Sequence, residues 1–192
     1  MHLIVVDGID GSGKSTVAAW IAEHYRARGE DVLVCTHPSG TWFGRMSRRT
    51  LTAEGKLMQA VAIIFFILDV LDSVHRLRRW GDRDKVIFVR YVMATAYLPN
   101  GLYLLGYHFF CKVLPIPPRL LLVDTTPECA LGRIEEREHD REMFENLTSL
   151  TKVRGKVLRL AKEGWSVLDN AGSVQDSRSQ LESVLSQWES LN

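Results

Sequence analysis

One short stretch constrains this chain more than any other: Gly8-Ile9-Asp10-Gly11-Ser12-Gly13-Lys14-Ser15-Thr16. It fits G-x-x-x-x-G-K-[ST], in which each residue type has a task at a phosphate group. Gly8, Gly11 and Gly13 permit positive φ and let main-chain N–H groups approach a ligand closely. Those N–H groups, with the helix N-terminus behind them, make an anion site. Lys14 can reach β- and γ-phosphates, and the Ser15 hydroxyl can bind Mg²⁺. The flanks are the ones the motif requires. Leu3-Ile4-Val5-Val6 is a short apolar, β-branched run that reads as a buried strand, and Val17, Ile21 and Tyr25 recur at helical spacing after the loop. Gly8, Gly11, Ser12, Gly13, Lys14, Ser15 and Thr16 are therefore the expected nucleotide-binding residues, with Ser15 the metal ligand.

Bulk properties bound what surrounds the loop. At 192 residues the chain suits one domain over residues 1–192, with room for a real core. A formal net charge of +1 gives no electrostatic reason to expect nucleic acid or an anionic membrane as partner. Cys35, Cys111 and Cys129 have neither metal nor redox spacing and are expected as buried, reduced thiols of a cytoplasmic protein. The chain runs straight into a strand, so no leader segment is expected. Residues 60–68 are strongly apolar but stop at Asp69, which is short for a membrane span and suits a buried helix.

Along the chain, apolar runs alternate with helical periods. Strands are expected at Leu3–Val6, Val32–Cys35, Val86–Val89, Leu120–Val123 and Trp165–Leu168. Gly29 should end the first helix, and a short basic helix should run through Arg45, Arg48 and Arg49. A long helix should start at Leu57 and end near Trp80-Gly81, with Leu57, Val61, Ile64, Leu68, Leu71 and Leu77 on its core face. Pro127 opens another helix, and further helices cover about 147–163 and 174–190. Residues 135–145 are dense in charge. Continuous apolar strands alternating with helices predict a parallel sheet covered on both faces, a three-layer α/β/α arrangement. The ligand should sit at the carboxyl ends of its strands.

Taken together, these segments resemble the thymidylate kinase family of P-loop kinases. The phosphate loop with Asp10 inside it is similar to that family's G-x-D-G-x-G-K-S-T. Thr36-His37-Pro38-Ser39-Gly40-Thr41, with Gly44 and Arg48 beyond, resembles T-R-E-P-G-G-T. Phe65-Phe66-Ile67-Leu68-Asp69 with His75 resembles F-x-A-D-R-x-x-H, and Val89-Arg90-Tyr91 with Ala96-Tyr97 resembles D-R-Y and A-Y-Q. Val123-Asp124 with Pro127-Glu128 and Ala130-Leu131 looks like L-D-x-x-P-E-x-A-L. The resemblance implies a five-stranded parallel P-loop kinase fold, and transfer of the ATP γ-phosphoryl group to a deoxynucleoside monophosphate (dTMP to dTDP), with Mg²⁺. It also implies a homodimer and a lid at about 136–146. Lys14, Arg90, Arg137 and Arg141 would be catalytic. The two lid arginines are the natural candidates because Gly11, Ser12 and Gly13 leave no arginine in the loop. Asp10, His37, Phe65, Phe66, Arg90 and Tyr97 would hold the acceptor: Asp10 at its sugar hydroxyl, Arg90 at its phosphate, and Phe65 or Phe66 stacked on its base.

The chain departs from the family pattern on the acceptor and metal side. His37 stands in the T-R-E-P-G-G segment, Val70 replaces the arginine of A-D-R, Val89 the aspartate of D-R-Y, and Leu98 the glutamine of A-Y-Q. Asp7 or Asp124, at strand ends, could supply the missing carboxylate. In residues 91–118 Lys112 is the only Lys, Arg, Asp or Glu, which suits a buried helix, an interface or an apolar acceptor pocket. A kinase for a different nucleoside, nucleotide or more apolar acceptor, and a non-catalytic nucleotide switch, are the alternative readings. No N-K-x-D motif supports a GTPase.

Overall fold

The strand that feeds the phosphate loop lies at the centre of the sheet. In the computed structural model, which describes residues 2–51, 56–77, 83–136 and 146–190, β1 (His2–Asp7) pairs in parallel with β3 (Lys85–Val89) on one side and β4 (Leu120–Asp124) on the other. β2 (Val32–Thr36) and β5 (Ser166–Asp169) complete the order β2-β3-β1-β4-β5, all parallel. Chain connections diverge to either side of β1, so a crevice opens at its carboxyl end.

Side-chain alternation explains why the strands are apolar throughout. Ile4 and Val6 of β1, with Ile87 and Val89 of β3, face α1 (Lys14–Arg26) and α7 (Val174–Glu189), meeting Val17, Ile21, Leu181, Leu185 and Trp188. Val5, Val86, Phe88 and Leu122 face the opposite way, onto a second core that includes Met93, Leu150, Val157 and Leu160. Val5, Val6, Ile87 and Phe88 have no exposed surface. Each such side chain contributes about 1.5–3 kcal/mol of burial.

On this second face lie α2 (Trp42–Leu51), α3 (Lys56–Leu77), a short 3-10 helix (Val92–Tyr97), α4 (Tyr103–Val113), α5 (Pro127–Glu135) and α6 (Leu147–Ala161). Local chemistry sets several starts. Thr126 caps α5 by accepting from the Cys129 N–H with Pro127 in the first turn, Asn146 caps α6, and Ser173 caps α7.

Four expectations change. The core face of α3 is not the expected one: Ile64 is 56% exposed and Leu68 and Leu71 more than a third exposed, while Ala62, Asp69, Val70 and Ser73 are buried. Its helix is apolar nearly all round, so spacing alone could not choose a face; the buried Asp69 does. The 91–118 segment is not uniformly buried. Tyr103 and Tyr107 of α4 point inward, whereas Leu105, Phe109 and Val113 are more than half exposed. Cys35, Cys111 and Cys129 are half-buried rather than fully buried. The last strand begins at Ser166, because Trp165 turns inward to donate its Nε1–H to the Tyr107 hydroxyl at 2.9 Å. The end of the long helix near Trp80-Gly81 and nearly all of the lid, with Arg137 and Arg141, lie outside the described residues. No helix among the described residues is long and apolar enough to cross a membrane.

Candidate active site

The phosphate loop leaves β1 and turns into α1 over Gly8–Gly13. Gly11 and Gly13 have φ of 77° and 89°, in the left-handed region. A Cβ on Gly11 would stand 2.3 Å from the Ala130 carbonyl oxygen, so both space and backbone demand glycine there. Ser15 and Thr16 are exposed at the start of α1, as a helix N-terminus facing an anion requires. Ser12 is buried behind the loop, and its hydroxyl finds no protein partner.

Asp10 is the hub. Its buried carboxylate accepts from the Lys14 ammonium at 3.2 Å, from the Tyr97 hydroxyl at 2.7 Å and from the Arg90 guanidinium. Lys14 also donates to the Ile9 carbonyl at 2.9 Å. Burial alone would raise the Asp10 carboxyl, but Arg90 and Lys14 outweigh it and hold the group well below the usual carboxylate range. Burial, followed by the Arg90 charge, pulls the Lys14 ammonium down, and burial with the Asp10 charge pushes the Tyr97 phenol well up. At neutral pH the cluster thus holds an ionised carboxylate and a neutral phenol.

Arg90 sits at the carboxyl end of β3 with φ of 63°, the one non-glycine residue with positive φ among those described. Two contacts hold that backbone: its N–H donates to the Val6 carbonyl at 3.1 Å, and its carbonyl accepts from His37 Nδ1 at 3.0 Å. His37, expected at the acceptor, is instead fully buried, with its ring edge-on to Phe66 and Phe88. Burial keeps its imidazole below the usual histidine range. It acts on the site through Arg90.

Asp69 organises the loop after β2. It accepts from the Ser39 N–H, the Ser39 hydroxyl and the Thr41 hydroxyl, each at 2.6 Å. Arg48 closes the same loop by donating to the carbonyls of Pro38 and Ser39 at 2.7 and 2.9 Å. Phe66 lines the cleft beside this loop, whereas Phe65, also expected at the acceptor, packs edge-to-face on Trp42 with centroids 5.6 Å apart.

Neither candidate for the missing carboxylate is free. Asp7 accepts from the N–H groups of Gly8, Tyr91 and Met93, and burial raises its carboxyl all the same. Asp124 holds the Arg154 guanidinium in a two-pronged pair at 2.9 and 2.8 Å. Three residues unforeseen from sequence brace the rear of the loop. Asn170 donates to the Ser12 carbonyl at 2.7 Å, Arg133 donates to the Asn170 carbonyl at 2.8 Å, and Ser177 donates to the Asn170 side chain at 2.8 Å. Arg133 was signalled by its spacing of four from Arg137, and Asn170 by following a strand end.

Two hollows meet here. A polar one covers the loop and includes Gly13, Lys14, Ser15, Arg48 and Arg90. The other, open to solvent, is largely apolar and runs from Asp10 and Arg90 towards α4. Arg90 lines both. The thymidylate kinase family model matches residues 6–181, nearly the whole chain. The chain belongs to the thymidylate kinase family. Similar relatives include thymidylate kinase of Leptospira borgpetersenii, 32% identical over 82% of this chain and 80% of that one. Thymidylate kinase of Ralstonia nicotianae is 31% identical over 95% and 96%, and probable thymidylate kinase of Archaeoglobus fulgidus 29% identical over 95% and 94%. The fold matches the solved thymidylate kinase of Candida albicans with a TM-score of 0.75 at 19% identity, covering 98% of this chain and 92% of that one. The predicted five-stranded parallel P-loop kinase fold is the observed one. The thymidylate kinase family architecture thus places its phosphate loop and its Asp10–Arg90 pair at one crevice.

Proposed function

We propose that this protein transfers the γ-phosphoryl group of ATP to the phosphate of dTMP, giving ADP and dTDP. The observation that carries the reading is the convergence of Lys14, Arg90 and Tyr97 on one buried carboxylate where the two hollows meet. Phosphoryl transfer needs in-line positioning and cationic stabilisation more than covalent chemistry. The loop N–H groups and Lys14 hold the donor phosphates. Arg90 faces both hollows and holds the acceptor phosphate, so one cation spans the two reacting groups. Asp10 and Tyr97 meet the sugar. Arg137 and Arg141 bring further positive charge to the transferred group, on the sequence grounds given above. Its thymidylate kinase relatives do not favour a kinase for a different nucleoside, nucleotide or more apolar acceptor, or a non-catalytic nucleotide switch.

The residues present fit Mg²⁺ arriving with the nucleotide. Ser15 offers an exposed hydroxyl at the head of α1, and no group of three or more metal-ligating side chains exists among the described residues. That suits an ion held by phosphate oxygens, water and a single protein oxygen. When bound, it neutralises charge on the β- and γ-oxygens.

The exposed Ile64, Leu68 and Leu71 recur along α3 as one stripe, which supports a homodimer burying that stripe. The unpaired Cys35, Cys111 and Cys129 suit a reducing cytoplasm. The test is ADP formation from ATP and Mg²⁺ with dTMP present and absent, beside Lys14→Ala. We expect ADP and dTDP in equal amounts with dTMP and a loss of at least about 100-fold in the variant. ADP formed equally without an acceptor would overturn the assignment.

A further inference from the structure

The apolar cleft changes character away from its mouth. Asp10, Arg90 and Tyr97 are joined by hydrogen bonds where Arg90 also lines the polar hollow, and this polar end is called the mouth, while Ile67, Val70, Val92, Leu98, Phe110 and Leu114 line the apolar remainder. Among the described lining residues, the polar side chains beyond the mouth have already committed their hydrogens. Ser47 Oγ donates to the Ala62 carbonyl at 3.2 Å, Thr95 Oγ1 to the Val92 carbonyl at 2.7 Å and the Tyr91 hydroxyl to the Pro115 carbonyl at 3.3 Å. Tyr97 gives its hydroxyl hydrogen to Asp10, and Asp7 is an acceptor already engaged by three backbone N–H groups. Val70, 3% exposed, puts a methyl surface on the wall.

We propose that this cleft reads the base of its acceptor by shape and ring contact rather than by side-chain hydrogen bonds. Its substrate class is then deoxynucleoside monophosphates with a planar base of pyrimidine size, selected by volume and apolar surface. The inference rests on the reading of the cleft as the acceptor site. The physical difference between the two modes is large. A site that hydrogen-bonds a substrate group rejects an analogue lacking it by roughly 10⁴–10⁵-fold, because its own polar groups are left unpaired. An apolar pocket separates near-isosteres by only about 10–200-fold. Phe66 and Phe110 both line the cleft, and aromatic rings can pack against any base.

The experiment compares dTMP with its 2,4-difluorotoluene isostere, the deoxynucleoside monophosphate whose ring keeps thymine's outline but lacks its carbonyl and imide groups. With ATP and Mg²⁺, kcat/KM for the isostere should lie within about 200-fold of dTMP, and dUMP, smaller by one methyl, should fall below dTMP by a factor within the same range. A larger loss for the isostere, with dTMP turned over normally, overturns shape reading and leaves the proposed reaction standing. Equilibrium binding of both ligands, followed by calorimetry, separates the other failure. If dTMP is not phosphorylated, the proposed reaction falls, and a dissociation-constant ratio within about 200-fold still supports shape reading. A larger ratio, or binding of neither ligand, overturns it.

Discussion

Replacing Asp10 by asparagine keeps the shape of the hub and removes its charge. Lys14 and Arg90 then face each other across a buried amide, with Lys14 nearly inaccessible to water. Removing one partner of a buried ion pair costs about 3–5 kcal/mol, since the remaining charge loses its compensation. Arg90 keeps some access to water, with 22% of its side chain exposed, so the lower end of that range applies. At about 2–4 °C per kcal/mol for a chain of this size, the midpoint of thermal unfolding should fall by roughly 6–12 °C at pH 7. The sign of the pH dependence follows from the depressed Asp10 carboxyl. A group whose folded pKa lies below its unfolded value stabilises the fold above the unfolded pKa and loses that contribution as pH falls. The gap between the wild-type protein and Asp10→Asn should therefore narrow by about 1 kcal/mol between pH 7 and pH 3. Differential scanning calorimetry at the two pH values measures both quantities. A midpoint shift under about 2 °C at pH 7, or a gap that widens in acid, would refute the account of Asp10 as a charge hub.

Other perturbations separate the remaining roles. Arg90→Ala should raise the KM for dTMP at least about tenfold while the ATP KM moves little, as expected for losing one charge-assisted contact; initial-rate kinetics in both substrates decide it. His37→Gln removes a buried imidazole held below its ordinary pKa, so the wild-type protein should lose stability from about pH 6.5 to pH 5 and the variant should lose less; denaturant titrations at both pH values provide the check. Asp69→Ala frees the loop at Ser39 and Thr41 from its shared acceptor, and should cost about 2–4 kcal/mol in urea unfolding. Leu68→Glu should shift the protein to monomer in light scattering, and an unchanged mass would dismiss the α3 stripe as an interface.

The phosphate loop, the strand sequence and the start of α5 are legible in the sequence because each depends on a few neighbouring residues. Gly11 and Gly13 announce positive φ, and Pro127 announces a helix start. What escaped was decided over long sequence separations. The face of α3 is chosen by Asp69 reaching a loop thirty residues earlier, and a helix apolar on all sides gives no periodic hint of that. The family resemblance implies an acceptor contact for His37, because the loop around it matches a site loop. Its target is the backbone of Arg90, a role carried by geometry rather than residue type. Phe65 and Phe66 are adjacent and chemically identical, and only packing against Trp42 separates them. Asn170 and Arg133 brace the loop across separations of 158 and 121 residues, beyond the reach of local pattern.

The placement of β1 between two parallel neighbours has a consequence for how the molecule breathes. The phosphate loop grows from a strand whose hydrogen bonds are protected on both edges, so its amides should exchange with solvent only when the whole sheet opens. The backbones of α2 and α3 pack chiefly on each other. One wall of the apolar cleft therefore belongs to a pair of helices that can open as a unit at lower cost than the sheet. Hydrogen exchange should therefore be slowest in β1 and faster in α2 and α3, and equal protection of the three elements would refute this division.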